Sequence, residues 1–308
     1  MVTALYSHDS SDTHVTPPGH PERVARLEAV RAALDGLSLN RRECPLGDEV
    51  DVLRCHPAEY IAKVKAAIPA TSYASLDADT HVAPGSMTAA MHAVGGIAAA
   101  VDAVMAGEVA NAFVACRPPG HHAETATAMG FCLFGTAAIG AMRALDVADA
   151  KRVAVLDFDV HHGNGTQDLL WNEPRALFAS SHQMPLYPGS GAVHETGAHS
   201  NVINVPLSPG SGGAEMRRAW GDMILPAVAD FDPEMVIVSA GFDAAIEDPL
   251  ANLNWTAEDF AWVTRAILEV AADVAGGRVV STLEGGYDLD ALGAGVRAHV
   301  EAMMEQGA

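Results

Sequence analysis

Basic residues are scarce in this chain. Its 308 residues carry 18 Lys and Arg against 39 Asp and Glu, a formal charge of −21. Phosphate backbones are bound by basic faces, so nucleic acid is not an expected partner. An acidic surface serves solubility first and, second, draws cationic ligands such as Lys-rich peptides or polyamines through a long-range field. Cysteine is also sparse: Cys44, Cys55, Cys116 and Cys132 form no CxxC pair and no framework spacing. That argues against a disulfide scaffold and suits a reducing, cytoplasmic setting. The opening MVTALYSHDSSD has no basic n-region or long apolar stretch, so no secretory signal is expected. The longest apolar window, MTAAMHAVGGIAAAVDAVMAG, is interrupted by His92, Gly95, Gly96 and Asp102. It reads as a core helix, and no membrane partner is expected. GxGxxG, GxxxxGK[ST] and GxSxG are all absent, which argues against dinucleotide, P-loop and serine-hydrolase chemistry.

What is present is ample apolar material, 49% of the chain, and a regular alternation. Short β-branched runs at 111–116, 152–158, 175–180, 235–240 and 278–283 read as strands. Segments near 87–106, 133–146, 213–229 and 257–275 carry apolar residues at helical spacing. Thr256 followed by Asp259 marks a helix start with Thr256 as N-cap. This alternation predicts an α/β fold with a mostly parallel sheet and helices on both faces. No linker, repeat or low-complexity tract marks a domain boundary.

The polar residues follow the strands. RPPGHHA comes after FVAC, DFDVHHGNG after VAVL, GFDAAIEDP after VIVSA, and EGGYD after VVSTL. Ligands in open parallel sheets bind at the carboxyl edge, so four such stretches point to one site. In an extended chain Asp157, Asp159 and His161 share one face. Asp159 and His161 can grip a cation, with Asp243 at another strand end as the best third ligand. Two carboxylates and one imidazole leave a position open for water, the layout of a catalytic site; Zn²⁺ fits best, and Fe²⁺ or Co²⁺ would fit the same donors. His121 and His122 follow a stiff Pro-Pro-Gly turn and suit a general base and an electrostatic partner. Tyr287, after Gly285 and Gly286, reads as a hydroxyl on a flexible hinge, able to reach an oxyanion. Together these parts describe metal-assisted amide hydrolysis.

These motifs, in this order, resemble the zinc-dependent histone deacetylase superfamily. The resemblance is nearest to class II and to bacterial histone-deacetylase-like and acetylpolyamine amidohydrolases. GHPERVARLEAV (19–30) and LDADTHVAPGS (76–86) extend it over nearly the whole chain. It implies the arginase/deacetylase fold, a single three-layer domain over 1–308 around an eight-stranded sheet. It makes Asp159, His161 and Asp243 the zinc ligands, His122 the general base, His121 its electrostatic partner and Tyr287 the carbonyl-polarising hydroxyl. Asp157 would stand behind His121 and Asn164 behind His122; class I members carry Asp at the latter position. A carboxylate neighbour favours a charged His121, whereas a neutral amide leaves His122 a free base.

The resemblance further implies a structural K⁺ held by Asp157, Asp159, His161, Ser180 and Ser181. Gly130, Phe131 and Tyr187 would wall the acyl-lysine channel, with Tyr187 where Phe is more usual, and Arg26 would lie near its floor. Leu250 occupies the position at which the polyamine-selective eukaryotic member has glutamate. His162 receives no ligand role. The expected substrate is an acylated lysine or related amine, with acetylpolyamine or another small amide as alternative. A ureohydrolase would show DxHxD ligands, and a non-catalytic acyl-lysine reader would not need the intact His121, His122 and Tyr287. The lean chain suggests a bacterial source, and a homo-oligomeric assembly stays open.

Overall fold

The five β-branched runs form adjacent strands because each is apolar on both faces and has to be covered on both. In the computed structural model, which describes residues 2–307 (Met1 and Ala308 lie outside the described residues), the strands are β1 (Thr3–Ser7), β2 (Asn40–Glu43), β3 (Ala74–Ser75), β4 (His81–Val82), β5 (Asn111–Val114), β6 (Val153–Asp157), β7 (Ala176–Gln183), β8 (Val202–Leu207), β9 (Met235–Ala240) and β10 (Val279–Leu283). Eight of them make one sheet in the order β2-β1-β5-β10-β9-β6-β7-β8, and every pairing in it is parallel. β3 and β4 form a separate antiparallel pair.

Alternate residues of each strand enter opposite core layers. Ala154, Leu156, Val236 and Val238 pack in one layer, with the apolar faces of helices Ala257–Val274 and Leu289–Gly307. Val153, Val155, Met235 and Ile237 pack in the other, under helices Ser86–Met105 and Thr136–Asp146. Helix Ser86–Met105 is long and apolar enough to cross a membrane by length and composition, but most of that stretch is buried against the sheet. The helix start at Thr256 is a capping box: Thr256 N–H donates to Asp259 Oδ2 at 2.9 Å.

Within the eight-stranded sheet, β1, β2 and β8 are the strands that periodicity did not single out. β2 is NRRE, polar throughout, and it survives as an edge strand with one neighbour. β8 contains Pro206, which an edge strand tolerates because one side of its ladder is unpaired. The segment expected as one helix over 213–229 divides into Gly213–Ala219, one wider π turn at Trp220–Ile224, and Leu225–Phe231.

Strand order is what builds the site. The four motif-bearing strands β5, β10, β9 and β6 are consecutive neighbours. Being parallel, they deliver all four polar stretches to one continuous edge.

Candidate active site

β6 ends at Asp157, so Asp159 and His161 lie in the loop beyond it and not on an extended strand face. The loop is tied down by its own carboxylates. Asp159 N–H donates to Asp157 Oδ1 at 3.0 Å, and His161 N–H donates to Asp159 Oδ1 at 2.9 Å. Neighbouring loops close over it: Gly285 N–H donates to Asp159 Oδ2 at 2.8 Å and Val160 N–H to Asp243 Oδ1 at 2.9 Å. These bonds leave Asp159, His161 and Asp243 facing each other, each offering one donor atom within 4.8 Å of the others. His161 Nδ1 stands 3.2 Å from Asp159 Oδ1 and 3.1 Å from Asp243 Oδ2.

The chemistry of this cluster fits a divalent cation. Asp159 and Asp243 are fully buried, and burying two carboxylates is costly without a compensating positive charge. Burial alone would lower the His161 pKa, yet the two facing carboxylates outweigh it and hold it up to about 10. The surrounding backbone is shaped to the carboxylates. A Cβ on Gly241 would collide with Asp159, and one on Gly285 with both Asp243 and Asp159.

The histidine pair stands beside this cluster, with ring centroids 4.0 Å apart. His121 Nδ1 is 3.0 Å from Asp157 Oδ2, and His122 Nδ1 is 2.7 Å from Asn164 Oδ1. Burial opposes charge on His121, but Asp159 and Asp157 outweigh it and hold its pKa well above the usual imidazole value. The His122 pKa lies well below that value, first because it is buried and then because His121 and His161 repel a further charge. The neutral Asn164 amide is therefore not the main cause of the His122 free base. Its hydrogen bond acts in the opposite direction.

Two further buried carboxylates, neither singled out by the sequence, anchor the loops that carry His121 and Tyr287. Glu284 Oε2 accepts from the backbone N–H groups of Gly120 and His121 at 2.7 and 3.1 Å. Asp248 Oδ2 accepts from Tyr287 N–H at 2.7 Å, and its Oδ1 accepts from Leu250 N–H at 3.0 Å. The loop before Tyr287 is thus pinned, and the flexible hinge expected from Gly285 and Gly286 is not what the fold builds. Gly286 instead supplies a positive φ of 121° for the turn. Arg26 is fully buried, donates to Gly286 O at 2.6 Å and lies over the Tyr287 ring at 5.0 Å.

A cavity of about 260 Å³ leads down to this cluster, lined by Asp79, His122, Gly130, Phe131, His161, Leu186, Tyr187, Leu250 and Tyr287. It brings together all the expected wall residues except Arg26, which sits behind Tyr287. Asp79 and Leu186 were not foreseen; Asp79 lies within LDADTHVAPGS and is half-buried, in the turn between β3 and β4. Gly130 has no room for a side chain, since its Cβ would strike the His122 ring. Ser180 is the register partner of Asp157, and its Oγ lies 2.9 Å from His182 Nδ1. Ser181 Oγ accepts from Trp220 Nε1 at 3.0 Å. His162 turns away from the cluster to Ser190 and Gln167.

The sequence profile of the histone deacetylase domain matches residues 20–303. The chain belongs to the histone deacetylase family. It is 39% identical over 284 residues to the histone deacetylase-like amidohydrolase of Pseudomonas aeruginosa, covering 89% of this chain and 74% of that one. It is 36% identical over 299 residues to a probable deacetylase of Archaeoglobus fulgidus, covering 94% and 82%. The crystal structure of the HDA15 HD domain superposes with a TM-score of 0.93 at 33% identity, over 99% of this chain and 90% of that one. The protein is a deacetylase or amidohydrolase of this family, with the metal-site triad Asp159, His161 and Asp243 in place.

Proposed function

We propose that this histone deacetylase family member hydrolyses the amide of an acyl-lysine or a related N-acylated amine, with Zn²⁺ held by Asp159, His161 and Asp243. The observation that carries the reading is the cavity: a largely apolar pocket that His122, His161 and Tyr287 line together, with Asp159 and Asp243 buried beside His161. When bound, zinc supplies Lewis acidity toward the amide carbonyl and makes a water more acidic. His122, kept neutral by burial, takes the proton from the water as its oxygen bonds to the carbonyl carbon. The Tyr287 hydroxyl donates to the carbonyl oxygen as negative charge develops there. The C–N bond then breaks, the amine nitrogen takes the proton held by His122, and a short carboxylic acid and the free amine leave. His121, paired with Asp157, keeps a positive charge beside the developing negative charge.

Phe131, Tyr187 and Leu250 suit an aliphatic stem, and Leu250 offers no charge to a second cationic nitrogen. At that position this favours acyl-lysine over acetylpolyamine; the carboxylate in the cavity lining is Asp79. A structural K⁺ beside Asp157 is part of the same reading. Its support is the placement of Ser180 next to Asp157 across the β6–β7 pair.

The deciding experiment strips the protein of metal, reloads Zn²⁺, and offers acetyl-lysine peptides, longer acyl-lysines, acetylated polyamines and a ureide in parallel. Turnover of the lysine substrates ahead of the polyamines is expected, in K⁺ but not in choline buffer. No turnover of any amide by the zinc-loaded protein would reject the reading.

A further inference from the structure

His122 can act as a base at Nε2 only in the tautomer that carries its proton on Nδ1. Its sole protein partner on a ring nitrogen among the described residues is the Asn164 side chain, at 2.7 Å from Nδ1. An amide is ambiguous in a way that a carboxylate is not: one end accepts and the other donates. Turned one way, Asn164 offers its oxygen and selects Nδ1–H. Turned the other way, it offers N–H, selects Nε2–H and removes the lone pair that the reaction needs. His121 faces no such choice, because both ends of its partner Asp157 accept.

The surroundings of Asn164 remove the ambiguity. Its Nδ2 donates to Glu124 Oε1 at 2.8 Å and to Met129 Sδ at 3.4 Å, and both atoms are acceptors. A flipped amide would set its oxygen against the carboxylate oxygen. Glu124 is itself held in place, with its backbone N–H donating to Thr127 O at 3.0 Å and its carbonyl accepting from Thr127 N–H at 3.4 Å. We propose that Glu124 is a positioning residue that sets the tautomer of His122 through the orientation of the Asn164 amide. The inference rests on the reading of His122 as the base. It assigns a function to a half-exposed carboxylate that touches neither metal ligand nor channel.

The test uses the full chain loaded with Zn²⁺ and three substitutions chosen by what they offer Asn164. Glu124→Lys presents a donor, so the amide should turn over. ¹⁵N NMR of the histidine rings, with the His122 signals identified by their loss in His122→Gln, should show the Nε2–H tautomer, and kcat should fall by about 10²-fold, the usual contribution of a general base. Glu124→Gln puts an amide opposite an amide, and either end can face Asn164, so it should give a mixture of the two tautomers and a rate between those of the parent and Glu124→Lys. Glu124→Lys combined with Asn164→Asp should regain Nδ1–H and most of the rate, because a carboxylate accepts at both ends. Circular dichroism checks that each variant is folded. Retention of Nδ1–H in folded Glu124→Lys would overturn the proposal. So would a loss in Glu124→Gln as deep as that in Glu124→Lys while its His122 keeps Nδ1–H, since the charge and not the orientation would then matter. The tautomer is read without substrate, so failure of the acyl-lysine reading and failure of this one are distinguishable.

Discussion

Tyr287 and Leu250 face the same cavity, one near its base and one on its wall, and each makes a different demand on the reaction. Burial pushes the Tyr287 phenol well above its ordinary pKa, even with Arg26 beside it, so it remains a hydrogen-bond donor throughout the working range. If it stabilises the oxyanion, Tyr287→Phe should lower kcat by about 10²–10³. Metal analysis should find the zinc content unchanged, because the hydroxyl is not among the ligands. If the substrate is an acyl-lysine as proposed, Leu250 favours it through the absence of charge. Leu250→Glu should raise the kcat/KM ratio of acetylpolyamine over acetyl-lysine peptide by about tenfold, or roughly 1.4 kcal/mol. Competition between the two substrates measures that ratio directly.

The loops after β5, β6, β9 and β10 form one assembly because backbone groups of one loop are bound by side chains of another. Gly285 shows how tight this assembly is. Its N–H holds Asp159, and its missing side chain leaves space for the Asp159 and Asp243 carboxylates. Gly285→Ala should therefore displace both ligands and lower zinc affinity by about 10–100-fold, the range seen when outer support of a metal ligand is lost. Titration against a competing chelator gives the number. The same substitution on an exposed turn would cost far less. Glu284 and Asp248 act at this scale as well, pinning the backbone of the loops that carry His121 and Tyr287.

Across the whole molecule, the first turns of the chain are joined to the carboxyl edge of the sheet by a buried charge cluster. Glu22 is fully buried and accepts from Arg117 Nη2 at 2.5 Å and Arg26 Nη1 at 3.2 Å, with His14 Nε2 3.4 Å away. Burial pushes the Glu22 carboxyl up, but Arg117 and His14 hold it well below the ordinary value of 4.5. A depressed carboxyl pKa stabilises the fold above the unfolded-state value, and that contribution is lost as pH falls through the folded-state value. Glu22→Gln strands two buried guanidinium groups, and it should cost about 3–5 kcal/mol at neutral pH. The gap between variant and parent should narrow below pH 4.5, where the parent begins to lose the same contribution. Urea denaturation at pH 7 and at successively lower pH tests both the size and the sign.

Reaction class and metal triad were legible in the linear order of residues because each motif carries its chemistry within a few positions of a strand end. DFDVHHGNG, SAGFD and EGGYD announce ligands and a hydroxyl whatever lies around them. The helix start at Thr256 was legible for the same reason, since its signal spans four residues. What only the tertiary structure decided depends on partners far apart in sequence. Strand order made β5, β10, β9 and β6 neighbours; the edge strand β2 exists because β1 offers it a ladder, not because NRRE prefers extension. Glu284, Asp248 and Glu22 look like ordinary acidic residues in the sequence, and their burial shows them holding loops in place. The lowered His122 pKa likewise comes first from burial, a property that no motif states. Local patterns determine which groups are available for chemistry. Long-range packing determines which of them are desolvated, oriented and held within reach of one another.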